Sequence, residues 1–122
     1  MYKLFKEYIM HELAIAQGIL DIALRTASCH KATKVTKIKV LIGELAGIVP
    51  EALEFGFDAL RAGSMAAEAC LSIRMVPLTG RCRECGAQSC IDKYCFTCAS
   101  CGSYALEILT GRELKVESVE VE

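Results

Sequence analysis

The 122-residue sequence lacks an excess of charge of either sign: 14 Lys and Arg stand against 15 Asp and Glu, a net charge of −1. That balance removes the electrostatic reason to expect nucleic acid or anionic lipid as the main partner. No apolar run approaches the roughly 20 residues that a membrane span needs, so no membrane insertion is expected. Residues 1–9 carry Lys3, Lys6 and Glu7 around no apolar centre, which excludes a secretory signal and predicts a cytoplasmic protein. No Ser/His/Asp constellation is visible, and no glycine near a strand end is followed by the Gly-Lys-Ser/Thr of a phosphate loop. The chain is therefore expected not to be an enzyme. Internal repeats and low-complexity segments are also missing.

What the chain does have is cysteine, eight of them, most between Cys82 and Cys101. Clustered thiols without an export signal point to metal rather than to disulfides. Cys29 and Cys70 lie outside the cluster and are expected to be small buried or half-buried residues.

Apolar periodicity predicts a helix from about Glu12 to Ala27. Leu13, Ala16, Leu20, Ala23 and Ala27 recur at spacings of three and four, and Ile15, Ile19 and Ile22 widen the stripe. Glu12 would fall in its first turn, where the helix dipole favours a negative charge. Thr33 to Ile42 alternates, with Ile38, Val40 and Ile42 on one face and Lys37 and Lys39 on the other. That is a strand with one wet face. Pro50 at a first helical position opens a second helix to about Ala62, with Leu53, Phe57 and Leu60 buried and Gly63 ending it. A strand from Cys70 to Val76 follows, with Leu71, Ile73 and Met75 on one face and Pro77 closing it. Tyr104 to Leu109 forms another strand. Leu114, Val116, Val119 and Val121 alternate in two registers that slip near Ser118, which predicts a bulged final strand.

The predicted fold class is α+β: two helices packed on a three-stranded mixed sheet, with an inserted four-cysteine zinc-ribbon lobe. The expected organisation is 1–9 as an extension or mis-assigned start, 10–79 plus 111–122 as one domain, and 80–110 as the metal-binding domain. The lobe is short of aliphatic residues and cannot build its own core.

Cys82-Arg-Glu-Cys85-Gly86 and Cys98-Ala-Ser-Cys101-Gly102 are two Cys-x2-Cys-Gly knuckles separated by twelve residues. Two intervening residues let both sulfurs reach one ion, and the trailing Gly permits the tight turn. Four thiolates in a closed tetrahedron favour zinc and leave no open position for catalysis. Cys95-Phe-Thr-Cys98 has the same spacing, so Cys95 competes as a ligand, but it lacks the trailing Gly. Cys82, Cys85, Cys98 and Cys101 are the expected zinc set; a disulfide within the lobe and an iron–sulfur centre are the competing readings. Cys90 and Cys95 have no assigned role.

Taken together, Met10-His11-Glu12-Leu13, the segment Ile42-Gly43-Glu44-Leu45-Ala46-Gly47-Ile48-Val49-Pro50-Glu51-Ala52-Leu53, the double knuckle and the closing Gly-Arg-Glu-Leu-Lys-Val-Glu-Ser-Val-Glu-Val-Glu resemble the HypA/HybF family of hydrogenase nickel-incorporation proteins. The resemblance runs from Met10 to Glu122. It implies a nickel metallochaperone that binds Ni(II) as cargo and delivers it to the precursor of a nickel–iron hydrogenase large subunit. The implied partners are a HypB-like nickel-handling GTPase and, for some relatives, urease maturation proteins. It also implies a nickel site at Met10, His11 and Glu12, and a structural zinc lobe.

The chemistry of the three residues suits that role. In a chain beginning Met-His, the terminal amine, the His amide nitrogen and the imidazole can form adjoining chelate rings of the kind that nickel(II) favours. Glu12 could add an oxygen ligand. Nine residues precede Met10 here, so either translation begins at Met10 or the site works without the amine. Ala14 and Ala99 replace the Ser and Pro common in the family, with little expected consequence. His30 is expected to be a surface loop residue, and Lys31, Lys34, Lys37 and Lys39 a solvated face. The competing function is a zinc-ribbon nucleic-acid module, for which the lobe offers only Arg81, Arg83, Lys93, Tyr94, Phe96 and Tyr104.

Overall fold

The structure, a computed structural model, describes the backbone from Tyr2 to Glu122 and the side chains of residues 11–122. The element order is α1 (Tyr2–Cys29), β1 (Val35–Gly43), α2 (Pro50–Leu60), β2 (Cys70–Val76), β3 (Thr79–Cys82), β4 (Gln88–Cys90), β5 (Leu106–Thr110) and β6 (Leu114–Val121). One three-stranded sheet has the order β2-β1-β6 and a second the order β4-β3-β5. The first is mixed. β6 runs antiparallel to β1, since Glu122 N donates to Lys34 O at one end and Gly43 N to Glu113 O at the other. β2 follows β1 through the α2 crossover and lies parallel to it. Two helices and a mixed three-stranded sheet are the expected α+β class.

The chain divides into two compact units, one of Met1–Val40, Ile48–Ile73 and Val116–Glu122, the other of Leu41–Gly47 and Arg74–Lys115. In the first, α1 buries Ala16, Ile19, Leu20, Ala23 and Ala27, and α2 buries Leu53 and Phe57. Gly56 lies against Leu13 and Ala16, so α2 meets α1 where it carries no side chain. Ile38, Val40 and Ile42 share the buried face of β1, while on the other face Lys39 is exposed but Val35 and Leu41 are buried, so the wet face is confined to the middle of the strand. Val49 precedes Pro50 without a side-chain cap, and the helix closes with Arg61 N donating to Phe57 O. Arg61 stacks 5.6 Å above the Phe57 ring, pairs with Asp58 and donates to the Ala69 carbonyl.

In the second unit β3 pairs antiparallel with both neighbours, matching Gly80 with Ser89 and with Ile108. Its buried aliphatic residues are Leu41 and Ile42 from the end of β1, with Leu78 and Ile91. Gly80 is required here: a Cβ at this position would collide with Ile91 Cδ1 and come within 2.8 Å of the Glu107 carbonyl. Gly80→Ala is expected to destabilise the protein by about 1–3 kcal/mol, as overpacking does, read as a lower midpoint in urea at unchanged slope.

Several local expectations are corrected. α1 starts at Tyr2, not near Glu12, because helix-compatible residues continue upstream of the apolar stripe. Glu12 is therefore in the helix interior, and the dipole argument for it does not apply. α2 stops at Leu60, which is only half-buried. Met75 is 43% exposed even though Leu71 and Ile73 are half-buried, since β2 is an edge strand. Cys29 and Cys70 are exposed rather than buried. β6 is one strand, Leu114–Val121, and its burial alternation slips at Ser118 and Val119, where the two expected registers meet.

Candidate metal centres

The two knuckles fold as near copies of each other. Cys82 N donates to Ala87 O and Cys98 N to Ser103 O; Gly86 N donates to Cys82 O and Gly102 N to Cys98 O, both at 2.9 Å. Gly86 and Gly102 have φ of 76° and 75°, the left-handed conformation that glycine adopts without a Cβ penalty. Each turn directs backbone amides at its first sulfur; Cys85 N reaches Cys82 Sγ at 3.4 Å.

The turns bring Cys82, Cys85, Cys98 and Cys101 together, with all four sulfurs within 4.8 Å of one another. Cys82 Sγ is 3.6 Å from Cys101 Sγ, and Cys85 Sγ is 3.5 Å from Cys98 Sγ. A disulfide would need about 2.05 Å. A tetrahedral ion with metal–sulfur bonds of about 2.3 Å has sulfur–sulfur edges of about 3.8 Å, close to what is found. Cys82 and Cys98 are buried, Cys85 and Cys101 exposed. The competing thiols stay out: Cys95 Sγ contacts Thr97 Oγ1 at 3.6 Å, and Cys90 is exposed on β4.

The electrostatics divide the four in the same way. Amides of Cys101 and Ser100 pull the Cys98 thiol down to about 6, and the Cys85 amide, followed by that of Glu84, lowers Cys82. At Cys101 the Ser103 amide also pulls down, but the sulfur of Cys82, burial and the sulfurs of Cys98 and Cys85 together push the thiol up to about 12. Cys85 is likewise raised; its Ala87 amide is outweighed by the Cys98 sulfur, burial and the Cys82 sulfur. The backbone amides thus favour the thiolate at the first cysteine of each knuckle, the form in which a thiol ligates a metal.

The second candidate set lies on α1. His11 is exposed (62%), and its Nδ1 is 3.6 Å from Glu12 Oε1. Glu12 is completely buried, and neither carboxylate oxygen has a hydrogen-bond partner among the described residues. Burying a carboxylate without compensation costs several kcal/mol, so this group is poised for a cation. The sequence carried a signal for its burial: Glu12, Ala16, Ile19, Ala23 and Ala27 are spaced by four, three, four and four, on the inward stripe. Met10 lies outside the residues whose side chains are described. His30 is exposed, just beyond α1, as expected.

A family model described as hydrogenase/urease nickel incorporation, metallochaperone, hypA matches residues 10–121. The chain belongs to the HypA family. The hydrogenase maturation factor HypA of Geobacter sulfurreducens is 38% identical over 113 residues, covering 93% of this chain and 100% of that protein. HypA of Nostoc sp. is 41% identical, covering 93% and 96%. A solution structure of the Ni metallochaperone HypA from Helicobacter pylori matches with a TM-score of 0.63 at 21% identity, over 90% of this chain and 96% of that one. A further solution structure of a HypA protein matches with a TM-score of 0.69 at 23% identity, over 93% and 97%. These two likenesses speak to the fold. As a HypA family member, the chain is a nickel-incorporation metallochaperone of hydrogenase maturation with a four-cysteine metal cluster. The HypA match begins at Met10 and so includes His11 and Glu12. Among the described residues, no helix is long and apolar enough to cross a membrane.

Proposed function

We propose that the chain carries one nickel(II) ion at His11 and Glu12, with the Met10 nitrogen as a further ligand in a form beginning there, and one zinc ion on Cys82, Cys85, Cys98 and Cys101. The nickel-binding domain is 10–79 plus 111–122, and the zinc-binding domain is 80–110. The nickel is delivered to the precursor of a hydrogenase large subunit in concert with a HypB-like GTPase, in the cytoplasm. The chain itself is not an enzyme: four thiolates close the coordination of zinc and leave no position for a reacting water, so any energy for transfer comes from the partner.

The observation that carries the nickel reading is the buried carboxylate of Glu12, without a hydrogen-bond partner among the described residues, beside an exposed imidazole at the start of the matched segment. The exposed imidazole gives the site one solvent-facing side through which cargo can leave. Protons compete for the imidazole nitrogen, which makes retention sensitive to acid. Zinc chemistry for the other set rests on its four sulfurs and its closed geometry.

The test is a nickel titration with metal analysis. His11→Ala is expected to abolish tight binding of the first nickel equivalent while zinc content stays at one per chain; undiminished affinity for that equivalent would overturn the assignment. Glu12→Gln keeps the shape of the side chain but replaces a carboxylate oxygen by an amide, so it should lower nickel affinity about tenfold or more with zinc content unchanged. The same titration on a form starting at Met10 should give tighter binding than the 122-residue chain if the amine is a ligand. Tight, salt-sensitive binding of RNA or DNA in a filter assay would favour the nucleic-acid module instead.

A further inference from the structure

We propose that Cys29 and His30 form a second, weaker site for a divalent cation of the nickel–zinc class, at the C-terminal end of α1. Both line a cavity of about 310 Å³ together with Ile22, Arg25 and Thr26. Neither belongs to the four-cysteine cluster or to the His11 site.

The imidazole is already oriented. His30 Nδ1 lies 2.9 Å from the Thr26 carbonyl oxygen, which can only accept. The neutral ring therefore carries its proton on Nδ1 and leaves the lone pair on Nε2. A ligating histidine is usually prepared in this way, with a backbone carbonyl fixing both tautomer and ring orientation. A carbonyl oxygen has two lone pairs, so Thr26 O can take the ring proton alongside its backbone bond. The His30 amide donates to the same oxygen at 3.2 Å, which fixes the residue at both ends.

The second donor is adjacent. Cys29 is exposed and has no disulfide partner. It opens on the same cavity as His30, so sulfur and nitrogen can close one chelate ring. When an ion binds, the Cys29 S–H bond breaks, its proton passes to solvent and the sulfur pair forms the metal–sulfur bond; His30 Nε2 donates its lone pair and no electron transfer occurs. Thiolate plus imidazole selects nickel, copper or zinc over magnesium or calcium. Arg25 opposes a dication, and with only two protein donors the remaining positions fall to water, so the site should be weaker than that at His11. Its place is acquisition: an accessible ion held loosely on the same helix as the proposed cargo site.

Cys70 offers a contrast. It too lines a groove, but with Glu54, Asp58 and Arg61, and without an imidazole. The Arg61 guanidinium is occupied by Asp58 and the Ala69 carbonyl.

The experiment titrates nickel chloride into the full-length, zinc-loaded protein and follows thiolate-to-nickel charge-transfer absorption alongside equilibrium dialysis. His11→Ala is expected to retain a charge-transfer band that saturates at a nickel concentration at least about tenfold above that for the first equivalent of the unmodified chain. Adding Cys29→Ser should remove the band, and His30→Ala should weaken it about tenfold, with zinc content and melting temperature unchanged. A band that survives in His11→Ala/Cys29→Ser would place nickel on other thiols and overturn the proposal, as would absence of any band in the unmodified chain. The readout is independent of the His11 site. Failure of His11→Ala to reduce tight binding would refute the cargo assignment and leave the sulfur band to judge this one.

Discussion

Cys98→Ser is expected to release the ion from the four-cysteine cluster and to unfold the short β4-β3-β5 sheet around it. Within residues 74–115 the buried aliphatic side chains are Leu78 and Ile91, and the strands of this sheet are three to five residues long. Elements of that size do not hold themselves together in water. Binding of a structural zinc supplies on the order of 10 kcal/mol in peptides of similar ligand set, more than the net stability of many domains. Cys98 is the most telling choice because it is buried and its thiol is held low, at about 6, by the amides of Cys101 and Ser100. Zinc analysis should read near zero for the variant, and limited proteolysis should cut within 80–110. Cys95→Ser is the control: its sulfur faces Thr97 and lies apart from the cluster, so zinc content should not change. Full zinc retention in Cys98→Ser, or equal loss in Cys95→Ser, would reassign the ligands.

Gly43→Ala is expected to have the largest effect of any single methyl added to this chain. A Cβ at Gly43 would occupy the space of the Gly111 carbonyl group and come within 2.5 Å of Arg112 N. These are backbone atoms, and they are held in place. Leu45 N donates to Gly111 O at 2.7 Å, Gly43 N to Glu113 O at 2.7 Å, and Gly111 N to the Glu113 carboxylate at 2.7 Å. Gly111 itself has φ of 120° and a Cβ there would meet Leu78 Cα at 2.9 Å, so it cannot yield by exchanging with a bulkier residue. Bonds from its own amide and the Gly111 amide keep the Glu113 carboxyl below the ordinary range, which stabilises the turn above that range and releases it as acid protonates the group. A loss of about 4 kcal/mol is expected, the scale reserved for forced core clashes, measured as the fall in denaturation midpoint. Gly18→Ala provides the comparison. Nothing lies within 4 Å of a Cβ at Gly18 in the middle of α1, and removing its backbone freedom should stabilise by about 0.5–1 kcal/mol. A Gly43→Ala protein as stable as the parent would mean that the β1 end and the Gly111 turn do not approach as described.

What the sequence by itself determined is the chemistry set by neighbours along the chain. The spacing of Cys82 with Cys85 and of Cys98 with Cys101, each followed by glycine, specifies the knuckle turns because a two-residue chelate and a left-handed glycine are local geometry. The stripe through Leu13, Ala16, Leu20, Ala23 and Ala27 specifies the buried face of α1, and the alternation of Ile38, Lys39 and Val40 specifies the pleat of β1, since both periodicities follow from backbone geometry alone. Only the tertiary structure decided which thiols converge: Cys95 has the same spacing to Cys98 as a knuckle pair, yet its sulfur faces Thr97, a matter of how β3, β4 and β5 bring distant turns together. It also decided the order β2-β1-β6, the exposure of Cys29, Cys70 and Met75, and the pairing of the short β3 and β4, which are too brief to show a period. The burial of Glu12 belongs to both levels. Its spacing placed it on the inward stripe, but the absence of a hydrogen-bond partner among the described residues depends on what packs over that stripe, and packing is decided in three dimensions.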